Sequence, residues 1–207
     1  MLKSGCNLRL FHRSVRYSEV MDLDAEGLDE LALRERVRAT LGSRPVAQAL
    51  KSHGTRIELV TEHKQMPTVQ RWKLGLLVES GGPPLPTKIE FSRRGLDEGV
   101  EFGSVDPALV AAHRIAPFMV SHCGAAAALR QKIGTLAHRT ETQAHDVFDV
   151  HLLLASAAPV AFLRTIGPQL LERARDRAAG IGFTVFKSQV LAYLQPHEHA
   201  RFDSPDT

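Results

Sequence analysis

Hydrophobic positions change their period along the chain. Over Gly27–Thr40 the spacing predicts a helix. Leu33, Val37 and Leu41 fall at i, i+4 and i+8 on one face, with Arg34, Glu35 and Arg38 off it. Gly42-Ser43-Arg44-Pro45 punctuates it, and Pro45 opens a further short helix, Val46–Ser52. The middle is rich in β-branched and aromatic residues, and predicts strands over Arg56–Glu62, Val69–Glu79 and Pro86–Arg93. In the second of these, Val69, Arg71, Lys73 and Gly75 alternate with Gln70, Trp72, Leu74 and Leu76. Gly81-Gly82-Pro83-Pro84 forms a loop before the third. Short connections between sequential strands imply an antiparallel meander. Gly99–Gly103 and Pro117–Ser121 add two short strands.

The N-terminus predicts a short strand (Met1–Lys3), a turn at Ser4-Gly5 and a helix through Asn7–Phe11. Tyr17–Asp24 mixes β-formers with acids. From Ala125 onward the pattern is helical. Ala125–His138 is alanine-rich with basic interruptions. Thr140 and Gln143 fit a T-x-x-Q capping box for a helix reaching about Ala155. Pro159–Gly180 and Val185–Leu194 read as two more, and His197–Thr207 as a frayed end. Strands followed by helices give an α+β fold rather than a doubly wound parallel sheet. The expected organisation is an α+β core over residues 1–121 and a helical C-terminal lobe over 122–207, packed on the core.

Composition narrows the class. Of the 207 residues, 43% are hydrophobic and 24% charged, which excludes disordered and collagen-like chains. The net charge is 26 − 23 = +3, compatible with a polyanionic partner without demanding one. Two cysteines, Cys6 and Cys123, make neither a disulfide framework nor a four-ligand zinc site. No apolar run approaches the ~18–20 residues that span a bilayer. The N-terminus lacks the apolar region and cleavage site of a signal peptide. A cytoplasmic protein without membrane contact is therefore expected.

Four clusters carry possible chemistry. Lys3-Ser4-Gly5-Cys6-Asn7-Leu8-Arg9 places a glycine turn ahead of a helix, where backbone N–H groups can face a phosphate. Arg16–Asp24 ends in Asp22 and Asp24, which project to one face of a strand and can hold Mg²⁺. Thr87–Arg94 offers Glu90 as a third carboxylate on a neighbouring strand; converging acids with Mg²⁺ are what in-line nucleotidyl transfer uses. Lys132, Arg139 and Asp146 recur every seven residues, which on one continuous helix would give a shared, largely cationic face; a break at Thr140 interrupts it. Taken singly, each cluster has a plainer reading: a turn, a helix cap, an edge strand, a solvated helix face. There is no H-E-x-x-H and no Walker A loop, and a nucleophilic pair of Cys6 or Cys123 with His122 has no orienting context.

Together and in this order, the four clusters resemble the AbiEii/AbiGii toxin family of nucleotidyltransferase-like proteins. Members read K-G-G-T/C-A/N-L-R, then R-Y/F-S-E-D-M/L-D-L/F-D, then a K-I-E-I/F-S strand. Later come Q-K-I-x-A-L-x-x-R and A-R-D-V/L-F-D-L. Here the blocks stand as KSGCNLR (3–9), RYSEVMDLD (16–24), KIEFSRR (88–94), QKIGTLAHR (131–139) and AHDVFDV (144–150). The resemblance implies a nucleotidyltransferase fold, a small mixed sheet with helices and a helical C-terminal part. It also implies Mg²⁺, a nucleoside triphosphate substrate and a nucleotide transferred to a tRNA, another RNA or a protein hydroxyl. As a toxin of abortive-infection or toxin–antitoxin type, such a protein has a cognate antitoxin.

Carried across residue by residue, the resemblance assigns triphosphate binding to Ser4, Gly5, Cys6, Asn7, Arg9, Lys132 and Arg139. It assigns the metal to Asp22 with Asp24 or Glu90. Asp22, Glu90, Lys132 and Asp146 become the catalytic set, Asp146 orienting Lys132 or taking part in the chemistry. Arg9, Arg13, Arg16, Arg71, Lys73, Arg93 and Arg94 are candidates for an RNA approach surface. Three departures stand out. Ser4 replaces the family's first glycine, and a Cβ accommodates positive φ poorly. Val20 stands where the family has its first metal-binding aspartate. His145 replaces an arginine. Relatives also usually carry residues before the glycine motif. Val20 and Ser4 are the grounds for the alternative of a catalytically silent relative that binds nucleotide, RNA or a partner protein.

Overall fold

The computed structural model describes residues 1–95, 99–155 and 160–204, the side chains of residues 160 and 161 excepted. In chain order the elements are β1 (Leu2–Lys3), α1 (Ser4–Phe11), β2 (Val20–Asp24), α2 (Glu30–Leu41) and α3 (Arg44–Ser52). Strands β3 (Thr55–Met66), β4 (Val69–Val78), β5 (Leu85–Ser92) and β6 (Val100–Ser104) follow. Next are α4 (Pro107–Ala112), β7 (Met119–Cys123), α5 (Ala125–His138), α6 (Ala144–Ala155) and α7 (Val160–Leu163). The chain continues through α8 (Pro168–Ala179), α9 (Phe183–Gln189), a 3₁₀ turn (Leu191–Tyr193) and α10 (Pro196–Phe202). The fold is α+β with mixed strand pairing, as expected.

By contacts the chain forms two compact units, Glu19–Leu96 and the discontinuous pair Met1–Ser18 with Asp97–Thr207. The expected domains, by contrast, partition the chain by element type at residue 121.

In the unit Glu19–Leu96 the strands run in the order β3-β4-β5-β2. β3, β4 and β5 are the expected antiparallel meander, and β2 pairs parallel to β5 in the register Asp22↔Glu90 and Asp24↔Ser92. Alternation sends Trp72 and Leu74 of β4 to one face, where they pack with Leu33 and Val37 of α2. Trp72 is fully buried and meets Phe91 edge-on, ring centroids 5.7 Å apart. Asp29 caps α2 by accepting from the Ala32 N–H at 2.7 Å. Only Val20–Asp24 of the acid-rich segment 17–24 becomes strand.

In the other unit β7 lies between β1, parallel to it, and β6, antiparallel. Its core gathers Leu8 of α1, Cys123 of β7, Leu129, Ile133 and Leu136 of α5, Leu153 of α6 and Ala174 of α8. A second cluster joins Ala144 and Phe148 of α6 to Val190, Leu191 and Leu194.

Several helix boundaries differ from the sequence reading, among them Val185–Leu194, which divides into α9 and the 3₁₀ turn. The capping box at Thr140 does not form. Helix α6 starts at Ala144, and the Gln189 side chain accepts its first N–H at 2.7 Å, a partner 45 residues away. Pro159–Gly180 is not one helix: Pro168, which lacks an N–H, opens α8 as a new one, while Pro159 lies outside the described residues. The expected frayed end contains α10, because Phe202 seats on Phe148 at 5.4 Å between centroids; residues 205–207 lie outside the described residues.

Trp72 is the largest fully buried side chain, so Trp72→Ala is expected to cost about 3–5 kcal/mol, read as a lowered midpoint in urea. A loss below about 1 kcal/mol would contradict its place in the core.

Candidate functional site

The first part of the site is the turn into α1. Ser4 has φ +56°, the left-handed conformation that glycine adopts without penalty, so the serine sits in a glycine position. Gly5 is required by space. A Cβ there would lie 2.7 Å from Ser18 Oγ and 3.2 Å from the Arg16 guanidinium. No side chain caps α1 at Lys3, which suits an anion at its first turn. Asn7 points inward instead: it is fully buried and its Nδ2 donates to the Cys123 carbonyl at 2.8 Å. Cys6 is half-buried. Arg9 is engaged within the protein, donating to the Ser14 carbonyl at 2.8 Å and lying over the Tyr17 ring.

The second part is a chain of alternating charges. Lys132 on α5 touches Asp149 at 2.7 Å and Asp146 at 3.0 Å, both on α6. Asp146 also accepts from Arg139 at 2.7 Å, and Asp149 accepts from Arg16 at 3.2 Å. Both aspartates are almost completely buried. The break between α5 and α6 is what brings these groups together. Two short helices fold back so that Lys132, Arg139 and Asp146 meet, without the continuous helix that heptad spacing alone would need. Burial opposes the charge on Lys132, but the attraction and hydrogen bonds of Asp149 and then Asp146 outweigh it, holding its pKa above the ordinary lysine value. His145 has its pKa lowered chiefly by burial, so it is neutral at pH 7. It does not supply the fixed charge of the arginine it replaces.

The third part is on β2 and β5. Asp22 stands opposite Glu90 in the parallel register, so both carboxylates share a sheet face with Asp24. Asp24 is buried, at 5% exposure, and Glu90 pairs with Arg71 of β4. Val20 stands opposite Lys88 and offers no donor. Among the described residues no group of three or more His, Cys, Asp or Glu side chains is arranged to hold a metal ion. Asp22, Asp24 and Glu90 therefore do not make a preformed three-carboxylate cage. Mg²⁺ commonly uses only one or two carboxylates, with the remaining positions filled by phosphate and water. Asp22 and Glu90 stand opposite each other in register, with Glu90 paired to Arg71.

Two residues carry more than the sequence suggested. Arg16, expected on an RNA approach surface, is buried at 8% exposure against Asp149, which corrects that expectation. Asp149 was visible only as part of a motif string. Its signal was the i, i+3 spacing from Asp146, which places both on one helix face. Cys123 is fully buried and His122 is stacked on Phe11 at 3.7 Å, an arrangement of packing rather than nucleophilic chemistry.

Asp149→Ala would leave Arg16 and Lys132 each short of a buried partner. A loss of about 3–5 kcal/mol is expected in chemical denaturation. Ser4→Gly relieves the left-handed serine and is expected to raise stability by about 1 kcal/mol, measured in the same way; an unchanged or lowered midpoint would show that Ser4 is unstrained.

Comparison with known proteins identifies the family and the fold. The sequence profile of the family described as nucleotidyl transferase AbiEii toxin, type IV TA system, matches residues 2–203. Two solved structures from Helicobacter pylori share the fold. One is the JHP933 protein, 18% identical, covering 97% of this chain and 78% of that chain with a TM-score of 0.61. The other is a candidate nucleotidyltransferase, also 18% identical, covering 97% of this chain and 81% of that one with a TM-score of 0.62. No curated protein matches the sequence. With the glycine turn, the Lys132–Asp146 pair and the profile match all in place, the chain belongs to the AbiEii nucleotidyl transferase toxin family.

Proposed function

We propose that the protein transfers a nucleotide from a nucleoside triphosphate to a hydroxyl acceptor on RNA or protein, with Mg²⁺ as cofactor. The observation that carries this reading is Lys132. A lysine held charged between two buried aspartates is a fixed cation of the kind that grips phosphate. Arg139 extends the same charge outward, its side chain 41% exposed beside Asp146. In this reading Asp146 orients both cations. The first turn of α1, with Ser4, Gly5, Cys6 and Asn7, offers backbone N–H groups to the triphosphate.

Asp22, with Glu90 beside it, would hold the Mg²⁺. The ion supplies charge neutralisation at the reacting phosphate and its leaving group. The acceptor oxygen forms a bond to the α-phosphorus, the bond from that phosphorus to the bridging oxygen breaks, and pyrophosphate leaves with the electron pair. The Asp22 carboxylate takes the hydroxyl proton. Toxin-family membership adds a cognate antitoxin and a cytoplasmic site of action to the proposal. No helix among the described residues is long and apolar enough to cross a membrane.

A specific observation favours a second reading. Val20 stands on β2 where the family places a carboxylate, and Glu90 is already tied to Arg71. A silent relative would keep the fold and bind without transfer.

The test is a transfer assay with each labelled nucleoside triphosphate, Mg²⁺ and bulk tRNA. Native protein is run beside Asp22→Ala and Val20→Asp. Transfer by the native protein that falls at least about a hundredfold in Asp22→Ala is the expected result. No transfer by native protein but a gain in Val20→Asp would establish the silent reading instead.

A further inference from the structure

The outer strand of the larger unit is open along one side. β6 pairs antiparallel with β7, Phe102 opposite Ser121, and among the described residues no strand pairs with its other side. The Gly124 N–H donates to the Gly99 carbonyl at 3.0 Å, and the Val105 N–H to the Phe118 carbonyl at 3.2 Å. These two bonds fix the parity of the ladder. The backbone groups of Gly99, Glu101, Gly103 and Val105 face β7, and those of Val100, Phe102 and Ser104 face outward. That outward row of N–H and C=O groups is a template for another strand.

The side chains here are not those that usually protect an edge. Val100, Phe102 and Met119 share one sheet face and are 42%, 68% and 55% exposed. Edges are commonly blunted by a lysine, a proline or a bulge, and Val100–Ser104 has none of these. Its one charged residue, Glu101, is drawn back from the edge. The carboxylate lies 3.9 Å from His122 Nε2 and sits over Gly124, where a Cβ would collide with it. Gly103 faces the same way, and a Cβ there would lie 3.0 Å from His122 Nε2.

What matches this edge is the same edge. Two copies related by a two-fold axis pair antiparallel, with their outward-facing residues hydrogen-bonded to each other. Centred on Phe102, the pairing sets Val100 opposite Ser104 of the second copy and Glu101 opposite Gly103. Large residues then meet small ones, neither Glu101 faces a charge, and the two exposed Phe102 rings cover each other. Centred on Glu101, the pairing would oppose like charges directly. Centred on Gly103, it would set Val100 opposite Asp106, which is the cap of α4 and lies beyond the strand.

We propose that β6 is a homodimer interface, at which a second copy of this chain adds its own β6 antiparallel in the Phe102-centred register. The proposal stands on the edge strand and is independent of the transfer reading.

The test is sedimentation velocity of the full-length protein, beside Phe102→Lys, over about 1–200 μM. The interface is small, so a dissociation constant on the order of 10 μM is expected. Phe102→Lys brings two ammonium groups together and removes the ring contact. It is expected to weaken association at least about tenfold while leaving the melting temperature unchanged, since the ring is exposed in one copy. Register is read by oxidative cross-linking of Phe102→Cys and Val100→Cys, with the native chain as the background for Cys6 and Cys123. The two copies of residue 102 would stand about 5.5 Å apart at Cα, within disulfide reach. The two copies of residue 100 would be offset by about 14 Å along the ladder, beyond it. Phe102→Cys is therefore expected to give a linked dimer and Val100→Cys none. A native protein that stays monomeric throughout the range would overturn the proposal. So would a dimer that persists in folded Phe102→Lys, or linkage through Val100→Cys equal to that through Phe102→Cys. Should Phe102→Lys fail to fold, the cysteine pair decides alone: linkage at 102 without linkage at 100 supports the interface, and any other pattern removes it.

Discussion

The ion chain Arg139–Asp146–Lys132–Asp149–Arg16 is the interaction on which the larger unit depends. It joins the segment after α1 to α5 and α6 through two carboxylates that have almost no contact with solvent. Such a chain is costly to desolvate, and replacing it with well-packed apolar residues would often be neutral or better for stability. What the chain does provide is a cation held at a fixed position. Arg16 also lies within reach of the Gly5 backbone, where even a methyl group would be crowded. The packing of the glycine turn and the placement of Lys132 therefore share one guanidinium.

The two units divide the chemical resources. The discontinuous unit holds the backbone turn and the lysine between aspartates. The unit Glu19–Leu96 holds the paired carboxylates of β2 and β5. Val20 lies in the unit with the paired carboxylates, and the ion chain of Lys132 lies wholly in the other.

Much of the fold was legible from periodicity. The β3–β5 meander and helix α5 follow directly from alternation and from alanine-rich helical spacing. What sequence pattern missed depends on distant partners. The start of α6 is set by Gln189, and α10 is ordered by Phe148, neither of which has a local signature. The site was partly legible through its motifs. Lys132 and Asp146 meet, although through a helix break rather than along one face. Arg16 was misread because an arginine with polar neighbours resembles a surface residue, and only its buried partner shows otherwise. The register of Asp22 with Glu90 required the parallel pairing of β2 and β5, which no local pattern contains.

The discontinuity of the larger unit has a consequence in time. Arg16 leaves the ribosome 133 residues before the Asp149 that neutralises it. At a synthesis rate of roughly 5–20 residues per second, that separation corresponds to a delay on the order of ten seconds. The segment Glu19–Leu96 is fully synthesised within this interval. The unit that carries the ion chain is not, since α6 is still incomplete. Nascent chains thus lack a formed lysine–aspartate centre until translation is well advanced, and a chain truncated before α6 never acquires one.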